Sequence, residues 1–307
     1  MNFPLVTNVS NTLTDSFGRT VTSLRISITN RCNYDCIYCH HEGDTSSRGE
    51  MSVETISNIV HAASKMGVNK VKFSGGEPLI RKDFEDILSS LPKLRDVSAT
   101  TNGTLLKGRA QDLKDAGLDR VNISLDSLDP KNYKFITNSS QNMLDGVLDG
   151  VHSAVDAGLT PVKLNMVLLK GINDNEIYDM LDFTRTYDGQ VILQLIELMD
   201  FNDVSQYQID ANSVEKDLTA RADEVRIRTM HRRKKYIIDG AEVELVRPVD
   251  NSEFCANCNR LRVTADGKLK PCLLVNDNLI DVNGMSLEKM PQMLKLAASQ
   301  RVPYCRN

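Results

Sequence analysis

An α/β fold is predicted by three features of this sequence: six apolar runs of strand character, segments of helical period between them, and a change of texture near residue 200. Six strand–helix units with right-handed crossovers suggest an incomplete (βα)6 barrel of the TIM type over residues 1–200, followed by a smaller C-terminal region over 201–307. An open doubly wound sheet shows the same alternation, and period alone does not separate the two.

The strand candidates, in order, are LRISIT (24–29), KVKFSG (70–75), DVSATT (96–101), RVNISL (120–125), VKLNMVLL (162–169) and VILQLIEL (191–198). Between the first two, Ser52 to Met66 places Val53, Ile56, Ile59, Val60 and Ala63 on one helical face, with Gly67 where such a helix stops. QDLKDAG (111–117) and LDGVLDGVHSAVDAG (144–158) end in glycine in the same way. Beyond residue 200, FNDVSQYQIDANS is polar and turn-rich, and KKYIIDGAEVELV predicts a hairpin about Asp239-Gly240. The basic run RIRTMHRRKK (226–235) is expected to be a solvated face.

With 37 basic against 41 acidic side chains the net charge is −4, which argues against general binding to a nucleic-acid backbone. No apolar run is long enough to span a membrane, and MNFPLVTNVSNTLTDSFGRT lacks the regions of a signal peptide, so a soluble, cytoplasmic protein is expected. Of seven cysteines, six fall in two tight clusters, which in a reducing compartment point to metal ligands rather than disulfides.

The first cluster, Cys32, Cys36 and Cys39 in TNRCNYDCIYCHHEGD, offers three thiolates where a closed site wants four. Three can hold a 4Fe-4S cube and leave one iron open to a ligand; a zinc site completed by His40 or His41 is the simpler alternative. CxxxCxxC with Tyr38 before the last cysteine resembles the loop of the radical S-adenosylmethionine (SAM) enzymes. That resemblance implies that SAM chelates the open iron and is cleaved to a 5′-deoxyadenosyl radical. It also implies SAM contacts at Tyr38, at Gly75 and Gly76 of SGGEP, and at Ser124 and Met199. The glycines would allow close backbone approach to the ligand. Strand-end signatures SGGEP, TTNG, SLDS and IELM lie where barrel enzymes keep their chemistry.

The second cluster, Cys255, Cys258 and Cys272, is again a triplet, and by spacing alone a zinc ribbon with Cys305 as fourth ligand rates beside a cluster. CNRLR sets Arg260 and Arg262 on alternate positions beside it, which suits an anionic substrate. Together these motifs resemble, over roughly residues 15 to 275, the GTP 3′,8-cyclase (MoaA) family of molybdenum-cofactor biosynthesis. The resemblance implies two 4Fe-4S clusters, SAM, and GTP held by Arg25, Lys72, Thr100, Lys163, Arg260, Leu261 and Arg262. It implies abstraction of the ribose 3′ hydrogen and attack on guanine C8. It further implies a low-potential electron donor, a downstream cyclic pyranopterin monophosphate synthase, no nucleic-acid or membrane partner, and a dimer as one candidate assembly.

Two departures from the family stand out. The chain reads RVPYCRN where many members have a Gly-Gly tail, and Lys72 stands where bacterial relatives often have Arg. Cys305, apart from both triplets, is expected to be dispensable. Another radical SAM enzyme with an auxiliary cluster, and a metal-binding carrier or zinc-ribbon module, are the competing readings.

Overall fold

The computed structural model describes residues 12–43, 49–139, 142–228, 230–249 and 251–305. Its strands are β1 (Ser23–Ser27), β2 (Lys70–Ser74), β3 (Asp96–Thr101), β4 (Arg120–Ser124), β5 (Val162–Leu168), β6 (Val191–Glu197), β7 (Glu224–Ile227), β8 (Lys234–Ile238), β9 (Ala241–Val246), β10 (Arg260–Val263), β11 (Lys268–Lys270) and β12 (Ile280–Asp281). They form one sheet in the order β12-β11-β10-β1-β2-β3-β4-β5-β6-β9-β8-β7. The six expected strands occupy its middle and run parallel. Residues beyond 200 add a parallel neighbour on each side, β10 against β1 and β9 against β6. Antiparallel β11 and β8 then cover the outer edges of β10 and β9, so the barrel stays open although eight parallel strands are present.

Helices α1 (Val53–Ser64), α2 (Phe84–Ser89), α3 (Ala110–Asp115), α4 (Pro130–Thr137), α5 (Asn142–Asp156) and α6 (Ile177–Arg185) join the parallel strands. The capping signals work as composition predicts: the Thr55 amide donates to the Ser52 hydroxyl at 3.1 Å, and Gly67 takes φ +93° just past α1. Later come α7 (Ala211–Arg221), α8 (Ser252–Ala256) and α9 (Met290–Ser299), the last packed on α1. The predicted hairpin is β8–β9, with Asp239 and Gly240 at φ 48° and 80°, as a two-residue turn requires.

Strand alternation separates two chemistries. Leu24, Ile26, Val71, Phe73, Val121, Ile123, Leu193 and Leu261 face the helices and form one apolar core. Their neighbours at odd spacing face the concave side, where Arg262, Arg25, Lys72, Ser98 and Arg120 stand in one register row across five strands. No helix among the described residues is long and apolar enough to cross a membrane.

Candidate active site

The loop that carries Cys32, Cys36 and Cys39 leaves the C-terminal end of β1 and is knitted to the ends of the next strands. The Gly76 and Glu77 amides donate to the Thr29 and Arg31 carbonyls at 2.8 Å each. A Cβ at Gly75 would overlap the Thr29 carbonyl oxygen, and one at Gly76 the Arg31 carbonyl. The close approach that the Gly-Gly pair permits is therefore first of all to this chain's own cysteine loop. Glu77, fully buried, accepts from Thr101 Oγ1 at 2.7 Å and from the Asn102 amide at 2.6 Å, so SGGEP and TTNG are tied together. Burial pushes its carboxyl up to about 7. Tyr38 donates to Asp126 Oδ2 at 2.6 Å, and Asp126 Oδ1 accepts from the Val167 amide at 2.8 Å. Asp126, which lies inside SLDS, thus anchors the aromatic residue of the cysteine loop, a role that sequence reasoning missed.

Against the concave face lies a cavity of about 300 Å³, with Cys255, Cys258 and Cys272 on its wall and His40, next to Cys39, on another side. Arg25, Lys72, Lys163, Met199, Arg260 and Arg262 all line it. Leu261 turns into the hydrophobic core, so only its backbone could meet a ligand. Thr100 and Ser124 are not on this wall, and the Thr100 hydroxyl is buried without a partner among the described residues. Cys32, Cys36 and Cys39 are also outside it.

The basic run 226–235 is a solvated face only in part: Arg226, Arg232 and Lys234 are exposed, while Arg228, His231 and Arg233 line the cavity. The cause is Glu244, which is fully buried on β9 and collects cations from several directions. Lys163 Nζ donates to it at 3.0 Å, Arg228 Nη1 at 2.6 Å and Gln194 Nε2 at 2.8 Å, while Arg233 lies at 3.4 Å. Burial alone would raise the Glu244 carboxyl, yet Lys163, Arg233 and Arg228 hold it well below the usual range. Burial, despite Glu244, brings Lys163 down to about 8. His231 stacks on Phe254 with ring centroids 3.7 Å apart, and burial with Arg260 and Arg233 nearby pushes its pKa down to about 2. Arg120, Gln194, Arg228 and Arg233 are site residues that sequence reasoning missed; alternation along β4 and β6 would have found the first two.

Lys72 and Arg260 have no acidic partner among the described residues. Burial, then Arg25 and other cations, push both well below their usual ranges. Crowded buried cations of this kind favour an anion.

Cys305 lies against the second triplet. Its side chain and backbone bond to the Cys255 thiol, and Val302 and Tyr304 line the cavity. The segment is pinned by Arg301, almost wholly buried, which donates to the Cys258 carbonyl at 2.5 Å and pairs with Asp15 at 3.1 Å.

Residues 26–184 match the radical SAM superfamily, and residues 191–302 match the family described as Molybdenum Cofactor Synthesis C. A "Probable GTP 3′,8-cyclase" from Methanosarcina mazei is 62% identical over 97% of this chain and 91% of its own length. The chain belongs to the GTP 3′,8-cyclase family of radical SAM proteins. Family members of the same description from Methanocella arvoryzae (53% identical, 96% of this chain, 95% of theirs) and Archaeoglobus fulgidus (44%, 95% and 99%) are similar over nearly their whole length. Among solved structures, Streptococcus suis SuiB bound to S-adenosylmethionine matches with a TM-score of 0.64 at 17% identity, over 91% of this chain and 66% of that one. Native anSMEcpe with bound AdoMet matches at 0.62 and 17%, over 92% and 83%. At that identity the likeness is one of fold.

The cofactors of this family can be tested against the residues present. Among the described residues no three His, Cys, Asp or Glu side chains converge as around a single ion. A cube asks for something different, since each thiolate grips its own iron. Three cysteines spread along one loop, and three more on the wall of a cavity, suit that demand. Buried Thr100 Oγ1, Arg25 Nε, His40 Nδ1 and His231 Nε2 lack partners among the described residues, as polar groups do where a polar ligand completes them. The residues fit.

Proposed function

We propose that this chain converts GTP to 3′,8-cyclo-7,8-dihydro-GTP, the first step of molybdopterin biosynthesis. The observation that carries this reading is the cavity beside Cys255, Cys258 and Cys272 in which Lys72 and Arg260 have no acidic partner among the described residues. A guanine nucleotide matches it in both halves: a base for the open metal position and a polyphosphate for the cations.

Cys32, Cys36 and Cys39 would hold one 4Fe-4S cluster, with SAM against Tyr38, Gly75, Gly76, Ser124 and Met199; Cys255, Cys258 and Cys272 would hold the other. When bound, these groups supply a 5′-deoxyadenosyl radical that removes the ribose 3′ hydrogen, after which C3′ bonds to guanine C8. Arg25, Lys72, Lys163, Arg260 and Arg262 bind the anion, with Thr100 and the Leu261 backbone as further contacts. Their work is positional: a ribose carbon must stay in contact with the radical source while water is kept away. The strand face does this by fixing each cation on a paired strand, so little freedom remains to be lost on binding. On this reading residues 1–200 form the radical SAM partial barrel, from which Arg25, Lys72 and Lys163 also reach the substrate, and 201–307 form the auxiliary-cluster and substrate-binding region. The reaction also needs an outside electron donor and hands its product to a pyranopterin monophosphate synthase. A cytoplasmic site and a homodimer complete the proposal.

The deciding experiment is anaerobic incubation of reconstituted protein with SAM, reductant and GTP deuterated at the ribose 3′ carbon. Deuterium should appear in 5′-deoxyadenosine together with the cyclised nucleotide. Deoxyadenosine without deuterium, and unchanged GTP, would refute the reading. In the Arg260→Ala/Arg262→Ala variant slow SAM cleavage should persist, while GTP affinity falls about tenfold to a hundredfold per arginine.

A further inference from the structure

We propose that Glu42 is a positioning residue that couples the substrate cavity to the loop bearing Cys32, Cys36 and Cys39, acting through Arg25 and Arg262; the proposal rests on the function given above. Arg25 on β1 and Arg262 on β10 are register partners on adjacent parallel strands, and both line the cavity. Glu42 stands behind them, in a recess that also touches Ser27, Thr264 and Lys270. Its Oε2 accepts from Arg262 Nη1 at 2.6 Å, and its Oε1 pairs with Arg25 Nη1 at 3.4 Å. Among the described residues it is the acid paired with either arginine. It occupies one end of each guanidinium and leaves further N–H groups for a ligand; Arg25 Nε is buried with no partner among the described residues.

The place of Glu42 in the chain gives this triad its reach. Arg25 lies on the strand that enters the first cysteine loop, Glu42 just beyond Cys39, and Arg262 just beyond Cys258. The backbone at Glu42 is strained as well: His41 and Glu42 are successive non-glycine residues with φ of 47° and 53°. Such a pair persists only where its surroundings hold it, and here the side-chain hold is the ion pair with Arg25 and Arg262. His41 Nδ1 is 3.9 Å from Cys39 Sγ, and His40 lines the cavity, so a change at Glu42 is felt at both. An anion that draws the two arginines into the cavity weakens their grip on Glu42 and lets residues 41–42 change basin beside Cys39. The loop next to Cys39 thus has two backbone states whose balance the substrate shifts, and by linkage the effect is reciprocal.

The test measures SAM binding to reconstituted wild-type, Glu42→Gln and Glu42→Asp proteins by anaerobic equilibrium dialysis, with and without GTP. GTP should change SAM affinity by about fivefold or more in the wild type, and by less than about twofold in Glu42→Gln. Glu42→Asp, which keeps the charge on a shorter stem, should fall between. GTP affinity should respond to SAM by the same factors. Iron content per chain is measured alongside; should Glu42→Gln lose iron, the Asp variant decides. Wild-type coupling in the variant that keeps its iron, or no coupling in the wild type, overturns the role of Glu42 while leaving the cyclase reading intact. A wild-type protein that binds no GTP at all brings down that reading and this inference with it.

Discussion

Replacing Glu244 by Ala tests how the cavity is built. The carboxylate is fully buried and is shared by Lys163, Arg228 and Arg233, whose side chains are 10%, 31% and 12% exposed. Removing it leaves three largely buried cations facing one another, and breaking a buried pair in this way costs about 3–5 kcal/mol. At about 2 °C per kcal/mol for a chain of this size, melting should fall by about 6–10 °C. Glu244→Gln keeps an acceptor for Gln194 and Lys163 but no charge, and should lie between. A second effect separates this account from a general packing defect. Inorganic triphosphate supplies the missing anion, so it should raise the melting temperature of Glu244→Ala more than that of the wild type. Anaerobic differential scanning calorimetry with and without triphosphate reads both. A variant melting within about 2 °C of wild type, with the same response to triphosphate, would refute the reasoning.

Three further outcomes are expected. Lys163 keeps its proton only below about 8, so GTP affinity should weaken as pH rises through that value, and Lys163→Arg should remove the dependence. Because an unfolded lysine holds its proton to higher pH, folding stability should rise between about 8 and the ordinary lysine range, which pH-dependent melting checks. Gly76→Ala must push the Arg31 backbone aside, so it should lose the iron of the first cluster while that of the second remains, as iron analysis and electron paramagnetic resonance would report. In iron-free protein exposed to oxygen, Cys255 and Cys305 should form a disulfide, seen by mass spectrometry as a peptide pair released by dithiothreitol; Cys258–Cys272 pairing instead would contradict the observed contact.

Local pattern determined much of this protein. Strand period, helix stops at Gly67 and Gly158, the Asp239-Gly240 hairpin and both cysteine triplets depend on neighbouring residues, and such signals survive in a linear string. Alternation along β2, β5 and β10 likewise placed Lys72, Lys163, Arg260 and Arg262 on the concave face. Tertiary structure decided what depends on contacts between distant segments. Whether residues 226–235 face water or the cavity turns on Glu244, since a buried carboxylate recruits cations wherever the fold brings them. Cys305 meets Cys255 because Arg301 buries itself against Asp15, at the other end of the described chain. Gly75 and Gly76 approach the backbone of the cysteine loop because β1 and β2 pair in register and bring their loops together. Glu42 reads as an ordinary loop acid until β1 and β10 become neighbours, for only then do Arg25 and Arg262 stand close enough for one carboxylate to hold both.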